Sequence, residues 1–276
     1  MAVDLSAKTL AFSHHKLYQT YPQETARRVR FAVADLLALP AANLPQFELA
    51  AAVGVLHHVP RVDAPRALHA LASTLKPGGV LQLATYSTLG IASWWAPVRR
   101  LVRRLAPSLV NEHGQLLRQP APYELRELRA AVMRLGLPAV AGSGTQLEWQ
   151  PTPKAQEAAT EEEMLARNHV VRCAEFYTST GCRDLMLHPC ETSFTLIELG
   201  QMLDGAGLDL VGLWFGSLDV DRRAREAYAQ SAIASGYALG DGPDRQVDLA
   251  RWHTLEEAQP ELFGRMHVLF AQKRMA

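Results

Sequence analysis

Two hydrophobic periods alternate through the first ninety residues, and that alternation limits the possible folds more than any other feature. "AVDL" (2–5) reads as a strand, and Ser6 is placed to cap a helix running through about Leu17. "VRFAVADLL" (29–37) is β-rich and alternating, a strand ending near Asp35. "FELAAAVGVL" (47–56) is a near-continuous apolar run, the pattern of a strand buried on both faces. Residues 63–75 predict a helix, with Asp63 as N-cap and Leu68, Leu71 and Leu75 on one face. "KPGG" (76–79) is a sharp turn before the next strand, "VLQLATYS" (80–87). Strands alternating with helices are the rhythm of a parallel α/β sheet.

The regularity breaks after residue 90. From Ala92 to Gly136 the pattern is helices with loops, carrying eight arginines against three glutamates. Within it "SWWAPVRRLVRRLAPSLV" (93–110) pairs arginines at 99/103 and 100/104 around Val98, Leu101, Val102 and Leu105. That is a basic amphipathic helix near 97–105, with a solvated arginine face, a membrane surface, nucleic acid or an acidic substrate as readings. A polar, proline-containing connection (142–163) leads to a helix near 161–170 and the segment "EFYTSTGCRDLMLHPCETSF" (175–194). A helix at 195–204, a strand at 208–215, further helices and a closing strand at 266–273 complete the chain. Three parts follow: an incomplete core at 1–90, a mainly helical substrate-side insertion at 91–194, and a part completing the sheet at 195–276.

The chemistry-bearing residues gather at the carboxyl ends of the early strands, where open α/β sheets bind ligands. Asp4 ends the first strand, where a carboxylate can accept from both hydroxyls of a ribose. Asp35 ends the next, where an acid can accept from an adenine amino group. Gly54 in "GVLHHVP" (54–60) lets backbone approach a ligand, and His57 and His58 follow at the mouth. Each has a plainer reading as a turn former, helix cap or packing group. Their order is what counts: acid, acid, G-V-L-H-H, helix, L-K-P-G-G, strand.

"VDLS", "FELAAAVGVLHHVP" and "LHALASTLKPGGVLQLATYS" closely resemble class I S-adenosylmethionine-dependent methyltransferases. "EFYTSTGCRDLMLHPCETSFTLIELGQML" and "DLARWHTLEEAQPELFGRMHVLFAQK" resemble bacterial methyltransferase domains often fused to tetratricopeptide repeats. The resemblance spans nearly the whole chain and is poor around 91–120. It implies a doubly wound Rossmann-like sheet, mostly parallel, with an antiparallel last strand and a helical insertion. S-adenosyl-L-methionine is the implied cofactor. Asp4 with Leu5 would hold its ribose, Asp35 with the Leu36 backbone its adenine, and Gly54 and Val55 its methionine side. "LKPGG" is implied to shape the sheet without touching ligand.

The family also has a first strand and a G-x-G-x-G turn before the V-D-L-S strand. Only three residues precede Asp4, and "GSGTQ" (142–146) follows no strand. That first strand lies mid-sheet, between the Asp4 strand and the 47–56 strand, so its loss leaves a gap of about 10 Å. Backbone groups on both sides would be left unpaired. The expectation is an N-terminally truncated methyltransferase fragment with impaired cofactor binding. The alternative is a natural chain in which those two strands pair directly.

Arg183, Asp184, His188 and Glu191 form a polar cluster that, if helical, sets Asp184 and His188 four apart and His188 and Glu191 three apart on one face. With Tyr86 they are candidates for the acceptor side. If the methyl acceptor is an oxygen or nitrogen, His58 or His188 would be the base. A metal held by His188, Cys190 and Glu191 is disfavoured, because methyl transfer needs none and no second ligand pair is evident. A non-catalytic pseudoenzyme or interaction module is the second reading, and an NAD-dependent oxidoreductase a weaker third. The acceptor and oligomeric state are not written in the sequence. Balanced charge, 28 basic against 28 acidic residues, gives no global argument for nucleic acid. Three clustered cysteines (173, 182, 190) are no disulfide framework, and the start lacks a signal pattern, so a cytoplasmic protein is expected.

Overall fold

The computed structural model describes residues 1–112, 115–135, 159–234, 248–264 and 266–275. The chain divides into two compact units, one of Met1–Thr88 with Thr192–Ala276, the other of Leu89–Glu191.

The first unit holds two separate sheets among the described residues. In the smaller, β1 (Ala2–Asp4) runs parallel to β2 (Phe31–Val33), with Asp4 opposite Val33. Between them lie α1 (Ala7–Thr20), capped by Ser6 Oγ accepting from Thr9 N at 3.2 Å, and the short α2 (Gln23–Ala26). The larger sheet consists of β3 (Phe47–Val53), β4 (Leu75–Tyr86), β5 (Leu208–Trp214) and β6 (Met266–Lys273), in the order β3-β4-β6-β5. There β3 is parallel to β4, with α3 (Ala64–Ser73) as the crossover. The strand β6 lies antiparallel between β4 and β5, the antiparallel last strand that the resemblance implies. After the second unit come α8 (Leu196–Gly205), α9 (Leu218–Ala234) and α10 (Leu249–Ala258), which belong to the first unit. The core joins Leu68 and Leu71 of α3, Leu81 and Leu83 of β4, Leu196 and Leu199 of α8, Trp252 of α10 and Leu269 of β6.

Three local expectations change. The apolar run of β3 is not buried on both faces: Leu49 is 63% and Val53 56% exposed, while Ala52 meets the core. Alternate side chains of a strand point to opposite faces, so Leu49, Ala51 and Val53 stand open while Ala50 and Ala52 turn the other way towards the core. β1 and β3 are not paired with each other, so direct closure of the two strands is not the arrangement found. The third change is at "KPGG", which lies within β4 as an irregularity, the register stepping from Phe47↔Leu75 to Leu49↔Val80. Gly78 takes the left-handed φ of +77°. A Cβ on Gly79 would meet the Phe47 and Lys76 carbonyl oxygens at 3.0 Å, so these glycines let β4 fold closely against β3.

The second unit is helical. It contains α4 (Thr88–Leu105), α5 (Pro122–Arg134), α6 (Glu161–Arg172) and α7 (Ser179–Leu187). Val98, Leu101, Val102 and Leu105, the apolar stripe read from the sequence, are buried with Leu128, Val132, Val170, Phe176 and Met186. A capping box starts α6: Glu163 N donates to Thr160 Oγ1 at 3.2 Å and Thr160 N to Glu163 Oε2 at 2.9 Å. Arg100 pairs with Glu162 at 2.7 Å, and Arg104 with Glu163, tying α4 to α6. "GSGTQ" and most of the 142–163 connection lie outside the described residues. Among the described residues no helix is long and apolar enough to cross a membrane.

Candidate functional site

Parallel strands bring Asp4 and Asp35 to the same ends of adjacent strands. Asp4 Oδ1 accepts from Ser6 N at 2.7 Å, turning the chain into α1. The strand β2 stops at Val33, two residues before Asp35, because Asp35 starts a 3-10 turn over Leu36–Ala41. Its Oδ1 accepts from Leu37 N at 2.9 Å. Each acid therefore spends one oxygen on a backbone amide, the usual role of an Asp at such a corner. Leu5 and Val55 are exposed, Leu36 partly buried.

Beyond β3, Gly54 has φ of +74° and donates its N–H to the Ala84 carbonyl at 3.1 Å. That left-handed geometry favours glycine. The next residues form a 3-10 turn, Leu56–His58. His57 is buried and stacked on Tyr86, ring centroids 3.9 Å apart, and its carbonyl accepts from Thr192 N at 2.8 Å. His58 is half-buried, its ring 4.2 Å from that of His57. Of the two histidines, the structure makes His57 a packing group. Asp63 stands at the N-cap of α3 without bonding a backbone amide; its carboxylate pairs with Arg66 at 2.8 Å. Leu75 belongs to β4 rather than to that helix.

A polar network at the end of β4 escaped sequence reasoning. Ser87 Oγ donates to Glu256 Oε1, and His267 Nε2 shares that oxygen at 2.8 Å. All three side chains are buried. Burial pushes the Glu256 carboxyl up to about 7, against the Ser87 hydrogen bond and with help from Glu257. Burial lowers His267 to about 3, and His253 adds to the fall. At neutral pH His267 is thus neutral and Glu256 about half protonated, burial having moved both towards their uncharged forms. Trp252 stacks on Tyr228 at 4.2 Å and sits edge-on to Phe263 at 6.1 Å, one turn before Glu256 on α10. The available signal was the four-residue spacing of Trp252 and Glu256 on α10 and the two-residue alternation of β6, which buries His267, Leu269 and Ala271.

In the second unit, α7 carries Arg183 and Asp184 on its exposed side and ends at Leu187. His188 is the C-cap with extended ψ of 131°, because the residue before a proline, here Pro189, avoids helical geometry. The expected helical spacing of His188 and Glu191 therefore does not exist. Asp184 does face His188, with Oδ1 to Nε2 at 3.8 Å, and Cys190 N donates to His188 Nδ1 at 3.2 Å. Burial pushes Glu191 up to about 8; Arg99 pulls it down and Asp184 raises it further.

Residues 1–79 match the family model described as a methyltransferase domain. An uncharacterized protein of Synechococcus sp. is 25% identical over 211 residues, covering 76% of this chain and 42% of that protein. Among solved structures, PKMT2 from Rickettsia typhi aligns with a TM-score of 0.54 at 12% identity, covering 99% of this chain and 44% of that one. The same protein in complex with AdoHcy gives 0.58 at 13% identity, with 98% and 44% covered. The chain thus spans less than half the length of these relatives. Residues 1–79 therefore match a methyltransferase domain, and the chain as a whole shares its fold with PKMT2.

Proposed function

We propose that this chain carries a domain that transfers a methyl group from S-adenosyl-L-methionine to an acceptor, in the cytoplasm. The observation that supports this is Asp4 and Asp35 at the carboxyl ends of the paired parallel strands β1 and β2, with left-handed Gly54 just past the carboxyl end of β3, in a stretch that matches a methyltransferase domain. When bound, S-adenosylmethionine supplies an electrophilic methyl group on a sulfonium.

The chain's own residues bind and orient. Asp4, with one oxygen held by the Ser6 amide, presents the other to the ribose hydroxyls beside Leu5. Asp35 is held in the same way by the Leu37 amide. It meets the adenine amino group, with the Leu36 backbone alongside. Gly54 and Val55 bring bare backbone to the methionine side. His58 is the candidate base on the first unit and His188 on the second, with Tyr86, Arg183, Asp184 and Glu191 as acceptor-side candidates. Holding donor and acceptor in line is the main catalytic demand.

The adenosine half of the site fits; among the described residues no glycine-rich turn serves the methionine half, and Val3 of β1 and Leu49 and Val53 of β3 stand exposed. We infer that the 276-residue chain binds S-adenosylhomocysteine weakly, and that a strand with a glycine-rich turn inserted between β1 and β3 completes the site. Titration calorimetry on the chain, checked for folding by circular dichroism, and on a form extended by such a segment tests this. The expected gain is about a hundredfold, with Asp4→Ala in the extended form losing about tenfold. Tight binding by the shorter chain would overturn the incomplete-site reading. No binding by the extended form would favour a non-catalytic module, to which the open apolar rows on β1 and β3 would then belong.

A further inference from the structure

The second unit has a cleft of roughly 400 Å³ that the methyl-transfer reading does not use. It runs along the outer side of α4. Ala92, Trp95 and Ala96 form its apolar part, and Arg99, Arg100 and Arg103 its cationic part, with Glu112 at one end. The spacing explains the arrangement. Residues 92, 95, 96, 99 and 103 follow the three- and four-residue steps of one helix face, and Val98, Leu101, Val102 and Leu105 turn the other way into the core.

The three guanidinium groups are not equivalent. Arg100 is matched by the Glu162 carboxylate at 2.7 Å. Arg103 donates Nη1 to the Glu112 carbonyl, a neutral acceptor, at 2.6 Å. Arg99 lies 4.8 Å over the Trp95 ring, also neutral. Glu191 is the acid that pulls on Arg99, and burial keeps it mostly protonated at neutral pH. Two of the three guanidinium groups thus meet neutral partners beside an indole, with Glu112 at one end of the cleft. Guanidinium forks match carboxylate and phosphate oxygens, and a ring already stacked under a guanidinium offers a flat apolar edge. The cleft volume is in the range of ordinary small-molecule sites.

We propose that this cleft binds a small organic anion with a flat apolar body, its acid group held by Arg99 and Arg103 and its ring beside Trp95. This site stands independently of the methyl-transfer reading.

Titration calorimetry of the full chain with phenyl phosphate tests it, with inorganic phosphate, phenol and phosphatidylglycerol vesicles as separate arms. Phenyl phosphate is expected to bind about tenfold tighter than either inorganic phosphate or phenol, and to weaken as salt rises. Arg99→Gln and Arg103→Gln are each expected to weaken it about tenfold; having two variants guards against one that fails to fold. Trp95→Leu should erase the preference for phenyl phosphate over inorganic phosphate. Absence of saturable binding, equal affinity for the two phosphates, indifference to both arginine substitutions, or binding to vesicles alone would each overturn the proposal.

Discussion

Replacing Glu256 by glutamine should change how stability depends on pH, in a direction fixed by the buried network. The Glu256 carboxyl rises from 4.5 to about 7 on folding. Its protonated form is the one the fold prefers, so its stabilising contribution is complete below pH 4.5 and is lost as pH rises through 7. His267 falls from 6.5 to about 3. Its neutral form is preferred, so its contribution is complete above 6.5 and is lost as pH falls towards 3. A tenfold change in proton affinity on folding corresponds to about 1.4 kcal/mol. Between pH 5 and pH 8 the glutamate alone would therefore cost about 2 to 3 kcal/mol, and the histidine alone would return about 2 kcal/mol. In the native protein the two nearly cancel. Glu256→Gln removes the first contribution and leaves the histidine, so its stability should climb by about 2 kcal/mol across that interval while the native protein's curve stays nearly flat. His267→Gln should do the reverse, with stability falling as pH rises. Urea unfolding followed by circular dichroism at pH 5, 6, 7 and 8 reads these slopes. If Glu256→Gln keeps the native slope, the carboxyl is not titrating in this window and the reasoning fails.

Two shorter tests address the helical unit. A Cβ at Gly181 would come 2.8 Å from the Glu175 Cα and closer still to its carbonyl oxygen, so Gly181→Ala should destabilise by about 1–3 kcal/mol, read by thermal unfolding. A native Tm would contradict that packing. Burial pushes the Cys182 thiol up to about 11, while Cys173 and Cys190 are half-exposed; iodoacetamide at pH 8 should label Cys182 about tenfold or more slowly than either, followed by mass spectrometry. Equal rates would refute the burial argument.

Local pattern carried much of the fold. The cap at Ser6 and the buried stripe of α4 are written in short-range chemistry, whereas the antiparallel last strand was implied by the resemblance. What depended on a distant partner was harder to read. The apolar run of β3 reports that its residues could be buried on both faces, yet burial needs a neighbour on each face, and composition does not say whether one is present. Asp4 and Asp35 were legible as corner acids, and their hydrogen bonds to Ser6 and Leu37 show why: the residue type that suits a ligand there also suits the turn. His188 was misread although the signal was local, since the proline after it forbids the helix that its spacing assumed. The Ser87–Glu256–His267 network joins residues far apart in the chain, and its members become informative only when β4, β6 and α10 meet.

The stretch around residues 86–88 and 192–194 has a consequence for how the chain could tolerate change. Ser87 and Phe194 form a parallel bridge, Phe194 N donates to the Tyr86 carbonyl at 2.9 Å, and Thr88 N donates to the Phe194 carbonyl at 3.1 Å. The departure and return of the intervening hundred or so residues are thus fastened side by side within the sheet-bearing unit. Closing a loop grows costlier only with the logarithm of its length, so doubling the excursion would cost about 0.6 kcal/mol. Such a clasp makes the position a socket: what is threaded between its two ends can lengthen, shorten or be exchanged while the strands beneath keep their register.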